Sequence, residues 1–411
     1  MSTIYNGLGE AIEISGGGST VIEPQKNDIP CVYLTGTLPT SKNDGELLVK
    51  GQYRSMTESF DFYATAKVQG DLSTSFAKLN YTLKLYTDSA KSKKLKKDFR
   101  GWGSRNKFVI KANWIDHLHA RNIVNARLWT KIVESRADYN SMPEAFRNCH
   151  KAIDGFTIMV FNNGIYLGMY TWNLPKDAMY GLDEDEPGNY LIQSQNTSTI
   201  WSTSGDRWAD ELRDGNPPAS WNLLRDLVIN GTDTEFVNGL NSALDVRSVV
   251  DQYIFLVLAC ITDNVAKNQT FYTYDAVKFY GGMYDMDGTW GLSPTASGWW
   301  SADRPFQDGY GSVTDENPNR LYYRMQTLFT SDIKNRYAVL RNNILSADSI
   351  IAEFEDFVKY IPDSLYAEDY AATTGNGNFT NIPLKDTNNI QQVRKFVVDR
   401  CAYVDSFIDS L

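Results

Sequence analysis

DNVAKNQTFYTYDAVKFYGGMYDMDGTWG, residues Asp263 to Gly291, concentrates the polar chemistry of this 411-residue chain, and the rest is read outward from it. Asp263 and Asn268 stand five residues apart, directly after an almost uncharged helical run. Two strand-like segments follow, QTFYTY and KFYGGMY, which predict a hairpin. Asp285 and Asp287 then alternate ahead of a turn at Gly288, with Trp290 and Gly291 beyond. Alone, D-x-x-x-x-N is a weak signal, because Asp and Asn favour loops for their own backbone hydrogen bonds. D-x-D-G alone is a common turn. Their conjunction, with Asp285 placed 22 residues after Asp263 across a hairpin, is the stronger observation.

The helix feeding this stretch is ALDVRSVVDQYIFLVLACITD. Asp245 caps its start, and Val249, Val250, Tyr253, Ile254, Val257, Leu258 and Ile261 make it apolar nearly all round, so it belongs in the core. Further upstream, Ile29 to Tyr86 alternates apolar and polar residues between Gly, Asp and Asn breaks, which predicts an antiparallel sheet with one face in water. In KLNYTLKL, Lys78, Asn80, Thr82 and Lys84 share one strand face. Two such lysines are a solvated edge or cations aimed into a phosphate cleft. KFVIKANW is a further strand, DHLHARNIVNARLWTKIVES a helix with Asp116 at its start, and FTIMVFNNGIYLGMYTW a hairpin turning at Asn162, Asn163 and Gly164. Beyond about Asp177 the chain reads as helical: WNLLRDLVIN, then LYYRMQTLFTSDIKNRYAVLRNNIL broken near Ser331, DSIIAEFEDFVKYI, and NNIQQVRKFVVDRCAYVDSFIDSL, with GNGNFTN a loop. The result is an α+β chain with three parts. Residues 1–25 are a flexible leader or attachment segment ending in a Gly/Ser run. Residues 26–175 are β-rich, and 176–411 are helical and carry the Asp263–Gly291 stretch.

A net charge of −10 excludes general nucleic-acid binding, so any bound polyphosphate needs local Lys or Arg, or a divalent ion. The basic run KSKKLKK, Lys91 to Lys97, reads as a solvated loop. No apolar run approaches a membrane span and no ordinary secretion signal opens the chain, which points to a soluble protein made in the cytoplasm. Cys31, Cys149, Cys260 and Cys401 form no CxxC pair and read as free thiols. Competing constellations are poorer. His117 and His119 lack a third zinc ligand and read as surface residues. Asp183–Gly188, DEDEPG, lacks the alternation of a calcium loop. Five Asn-x-Ser/Thr sequons carry little weight without a secretion signal.

An Asp, an Asn five residues on, a hairpin and a second Asp before a Gly is the spacing of a phosphoryl-transfer site. There the first Asp accepts the hydroxyl proton, while the Asn and the second Asp hold metal against the phosphates. Such transfer needs little covalent chemistry; it needs neutralised phosphate oxygens and in-line geometry.

The same residues resemble the CotH kinase family, atypical protein-kinase-like proteins named for a spore-coat protein. DNVAKN is similar to its catalytic loop Asp-Arg-His-x-x-Asn, and YDMDGTWG, Tyr284 to Gly291, to its Trp-Asp-x-Asp-Gly-Thr-Trp-Gly. GDLSTSFAKLNYTLKL resembles its Gly-Asn-x-Ser…Phe-Pro-Lys-Lys-x-Tyr segment, Asp116 with Arg121-Asn122 its Asp…Arg-Asn helix start, and NGIYLGMY its hairpin. The likeness spans roughly residues 28 to 345. It implies a two-lobed kinase-like fold and ATP-dependent, Mg²⁺-assisted phosphorylation of protein Ser/Thr. By position Asp263 is the catalytic Asp, Asn268 and Asp285 hold metal with Asp287 assisting, and Lys78, or Lys84 on the same face, binds the nucleotide. Asn264-Val265 replace the family's Arg-His, Ala77 and Leu79 replace its Pro and second Lys, and an acid is missing near Asn173-Leu174. Those departures, and the adhesins within the family, define the alternative: a non-catalytic scaffold that serves as a tail or surface binding protein. MSTIYNGLGEAIEISGGGS resembles the start of phage and prophage tail proteins, implying a docking arm to a virion or surface assembly.

Overall fold

The computed structural model describes residues 3–5, 11–13, 21–22, 28–116, 118–195, 200–201, 207–294, 298–305, 319–373 and 389–411. The leader falls largely outside these residues; its backbone pairs Thr3–Tyr5 with Ala11–Glu13. The GNGNFTN loop and His117 also lie outside them.

The alternating segments form strands β1 (Cys31–Thr35), β2 (Leu47–Arg54), β3 (Ser59–Gln69), β4 (Asn80–Tyr86), β5 (Lys107–Lys111), β6 (Gly155–Asn162) and β7 (Ile165–Asn173). They do not make the open sheet with a wet face that their local pattern predicts. They close into a barrel in the order β6-β7-β5-β4-β3-β2-β1, sealed by parallel pairing of β6 with β1. Closure follows from the β6–β7 hairpin, which begins 120 residues after β1 ends (155 − 35) and fills the gap between β1 and β5. Inward side chains meet as an aromatic core: Phe108 lies 5.1 Å from Trp172 and 5.2 Å from Phe99 between ring centroids. Such contacts add roughly 0.5–1.5 kcal/mol each beyond area burial.

Helix α1 (Arg121–Glu134) joins β5 to β6. After the barrel, β8 (Tyr190–Ser194), β9 (Trp208–Asp210), β10 (Thr270–Thr273) and β11 (Tyr280–Gly282) form a second sheet in the order β9-β8-β10-β11. The helical reading of this half therefore missed a sheet. Its β10–β11 hairpin is the one expected, whereas β8 and β9 carry no clear alternation. Trp208 and Trp221, 4.9 Å apart, pack on Phe271 of β10 and absorb part of the unusual Trp content.

Besides a single turn at Glu144–Arg147, the longer helices are α2 (Ala219–Asn230), α3 (Asp233–Ala243), α4 (Val246–Ala259), α5 (Arg320–Leu328), α6 (Thr330–Arg341), α7 (Ala347–Val358), α8 (Asp363–Thr373) and α9 (Asn389–Ser410). Helix α4 is the hub. Asp245 caps it by accepting from the Ser248 N–H, and twelve of its fourteen residues are buried against α1, α6, α9 and β11. Its buried Asp251 pairs with Arg336 of α6. Helix α8, absent from the sequence reading, lies along β7 of the barrel. Among the described residues, no helix is long and apolar enough to cross a membrane.

Candidate functional site

Helix α4 ends at Cys260 in the left-handed conformation, which throws the chain into the Asp263 loop. The Ala259 carbonyl accepts from the Trp290 N–H at 2.9 Å, so the same helix end fixes both halves of the expected site. Between them, Asn264 donates to the Tyr284 carbonyl at 2.5 Å. In place of the family's Arg-His, this chain thus has an amide that stitches the Asp263 loop to the strand end carrying Asp285.

Within the loop, Asn268 Nδ2 donates to Asp263 Oδ2 at 2.8 Å, a contact that the sequence reading, which gave Asn268 to a metal, did not include. Gln193 Nε2 lies 3.4 Å from Asn268 Oδ1, and Gln193 in turn accepts from Lys176 Nζ at 2.9 Å. The amide of Asn268 is therefore held from both ends.

Helix α1 holds the Asp285–Trp290 turn. Asp116 accepts from the N–H groups of Ala120 and Arg121, satisfying donors at the helix start. Arg121, itself paired with Asp116, donates Nε to the Thr289 carbonyl. Asn122 accepts from the Met286 N–H, and Asn125 binds the Met286 carbonyl, the Thr289 hydroxyl and the Trp290 indole. The buried Arg-Asn at the helix start thus works as a clamp. Gly288 is required at the turn, since a Cβ there would sit 2.6 Å from Pro294 Cα. Asp285 itself has φ +55°, a conformation that Asp tolerates better than most residues but that still stores strain.

The cation facing these carboxylates is Lys111, the last residue of β5. Its ammonium bonds Asp285 and lies 3.7 Å from Asp287 Oδ2. Sequence reasoning missed it. The usable signal was its place at a strand end just before the Asp116 helix start. The lysines expected from the sequence sit elsewhere. Lys78 is buried on Asp369 and the Met169 carbonyl, over the Tyr170 ring. Lys84 pairs with Glu46 on the surface. His119, expected on the surface, is buried against Asp369.

The electrostatics separate the three carboxyls. Burial, then the neighbouring Asp285, pushes Asp263 up to about 7, against the pull of Lys267. Burial also raises Asp287, to about 6, aided by Asp285 and Asp116 and opposed by Lys111. Asp285 meets the same burial but is held below the usual carboxylate range, because Lys111 outweighs it and Lys176 and Lys267 add to the pull. Lys111 is correspondingly raised despite its own burial. One carboxyl is poised near neutrality beside two others that share a cation.

Among the described residues no three His, Cys, Asp or Glu side chains gather as a metal-ion group. The donors present, Asp285, Asp287 and the Asn268 amide, are all hard oxygens. Lys111 between the carboxylates marks a place where positive charge is favoured. Mg²⁺ commonly takes only one or two carboxylates and completes its shell with water and phosphate, so this donor set fits it.

The sequence matches the family model of CotH kinase protein over residues 66–404. The chain belongs to the CotH kinase family. The match runs from the end of β3 to within α9, so it leaves out β1 and β2 but takes in strands β4 to β7 of the barrel, α1 and its clamp, α4 and the whole Asp263–Gly291 stretch. No curated protein matches the chain.

Proposed function

We propose that this CotH-family protein transfers the terminal phosphoryl group of ATP, with Mg²⁺, to Ser/Thr hydroxyls of a protein. The reading places a β-rich lobe, 26–175, over a helical lobe, 176–411, in a two-lobed kinase-like arrangement with the cleft at Asp285. The observation that carries it is the meeting of Lys111 from the barrel with Asp285 and Asp287, in electrostatic reach of Asp263.

Asp263 accepts the acceptor's hydroxyl proton; a carboxyl pushed up to about 7 is matched to that task at neutral pH. Asn268 holds Asp263 in orientation through its Nδ2, and its Oδ1, which accepts from Gln193 Nε2, has a second lone pair that would reach the metal. Asp285, Asp287 and Asn268 would hold Mg²⁺, which supplies charge neutralisation on the phosphate oxygens when bound. Lys111, with Lys176 and Lys267 in electrostatic reach of Asp285, brings the local positive charge that an acidic protein must concentrate to hold a triphosphate. Lys267 also stands in for the positive neighbour lost with Asn264-Val265.

Incubation with Mg·ATP and a Ser/Thr-rich protein, followed by mass spectrometry, tests this. A phosphate adduct that disappears in Asp263→Asn is the expected result. An AMP adduct would reassign the transferred group. No adduct together with no Mg·ATP binding would leave a recognition scaffold, such as a tail or surface component.

A further inference from the structure

Lys176, in the turn that follows β7, is committed to three groups at once. Its ammonium donates to Gln193 Oε1 of β8 at 2.9 Å, pairs with Glu211 just after β9, and lies 5.0 Å from the centroid of the Tyr284 ring. Glu211 is fixed in turn. Its N–H donates to the Leu191 carbonyl of β8, and its other carboxylate oxygen accepts from Gln195 Nε2, both at 2.7 Å. Gln193 is buried, and its Nε2 faces Asn268 Oδ1, while Asn268 Nδ2 donates to Asp263. Lys176, Gln193 and Glu211 all lie outside the Asp263–Gly291 stretch; they come from the end of the barrel and from the second sheet.

The chain Glu211–Lys176–Gln193–Asn268–Asp263 has a direction. A carboxamide offers an oxygen on one side and an NH₂ of nearly the same shape on the other, so packing alone does not choose between its two orientations. An ammonium only donates. Gln193 must therefore turn Oε1 to Lys176, which leaves Nε2 for Asn268. Asn268 then accepts on Oδ1 and has Nδ2 for Asp263. Turned round, Asn268 would set an NH₂ where Mg²⁺ takes a hard oxygen. As a salt bridge the part-exposed Lys176–Glu211 pair is worth little; its effect is on orientation.

We propose that Lys176 is a positioning residue: anchored by Glu211, it fixes through Gln193 the orientation in which Asn268 presents Oδ1 to Mg²⁺ and Nδ2 to Asp263. This role rests on the phosphoryl-transfer reading of the same site, and it gives the second sheet a part there, since β8 carries the middle link. The charge of Lys176 also reaches Asp285 directly. Gln193→Leu separates the two effects, because it cuts the chain and leaves that charge in place.

Two quantities are measured on the full chain. One is the free Mg²⁺ needed for half-maximal binding of a non-hydrolysable ATP analogue, by titration calorimetry; the other is kcat and KM for transfer to a Ser/Thr-rich protein. Lys176→Met and Gln193→Leu are each expected to raise the Mg²⁺ requirement about tenfold and to lower kcat about tenfold, with KM for the acceptor protein unchanged. The double variant is expected to lose no more than either single one, because both cut one chain. Lys176→Arg, which still donates, is expected to recover most of both. Should Lys176→Met not fold, Lys176→Gln replaces it with the same loss expected, since an amide no longer dictates which way Gln193 faces. If the parent binds the analogue with Mg²⁺ and Gln193→Leu needs no more metal, or the two losses multiply in the double variant, this proposal is overturned and the site reading stands. A parent chain that binds no analogue at millimolar Mg²⁺ overturns the site reading, and this role with it.

Discussion

Replacing Asp263 by Asn isolates the physical claim on which the site depends, that its carboxyl is held in an environment hostile to charge. Its pKa of about 7 against an ordinary 3.8 is worth about 4 kcal/mol at 1.36 kcal/mol per pH unit. The side chain is only partly buried, and solvent screening brings the usable figure to about 2 kcal/mol. Between pH 3.8 and 7 the folded state keeps a proton that the unfolded state has released. Stability is therefore undiminished below about pH 4, falls as pH rises through the window, and is lowest above 7. Asn carries no such penalty and can still accept from Asn268 Nδ2. Urea denaturation of both proteins in EDTA at pH 4.5, 6 and 8 measures the difference. Asp263→Asn is expected to be nearly as stable as the parent at pH 4.5 and about 2 kcal/mol more stable at pH 8. A difference that is absent at pH 8, or that does not grow with pH, would refute the reasoning.

Three further outcomes follow from neighbouring contacts. Lys111→Met leaves Asp285 and Asp287 without their ammonium, and Mg·ATP affinity by titration is expected to fall about tenfold to a hundredfold, the worth of one charge-assisted hydrogen bond. Gly288→Ala forces the turn off Pro294 and is expected to cost about 1–3 kcal/mol in denaturation while weakening metal binding. Arg336→Met strands Asp251, whose carboxyl burial already raises to about 6. The loss is expected near 3–5 kcal/mol at pH 8 and smaller at pH 5, where Asp251 is protonated; equal losses at both would contradict the pairing.

Much of the site could be read locally because its parts are local. Asp245 caps α4, the uncharged run after Asp251 is buried, and Asp263 with Asn268 needs only a five-residue loop to meet. The Arg121-Asn122 start gained meaning only in space, where it clamps the turn some 165 residues later. Barrel closure was illegible because a wet-faced sheet and a closed barrel share the same period-two alternation. What distinguishes them is the pairing of β6 with β1, far apart in sequence. Helix α8 escaped because DSLYAEDYAAT spreads acids and alanines round all sides without an apolar stripe. With it went the partner of Lys78, so that lysine's burial could not be foreseen. Lys111 was hidden for a related reason: KLNYTLKL, one strand away, carries the family-like lysine, and nothing local in KFVIKANW shows that its second lysine faces Asp285.

The central claim is that Asp285, across from Asp263 and Asn268 and beside Lys111, organises a metal–triphosphate site. The most direct measurement is isothermal titration of the full chain with ATP, with and without Mg²⁺, against Asp285→Ala. Saturable binding that requires Mg²⁺ and is lost in Asp285→Ala is expected. No binding at millimolar Mg·ATP, or binding undiminished in Asp285→Ala, would contradict the account.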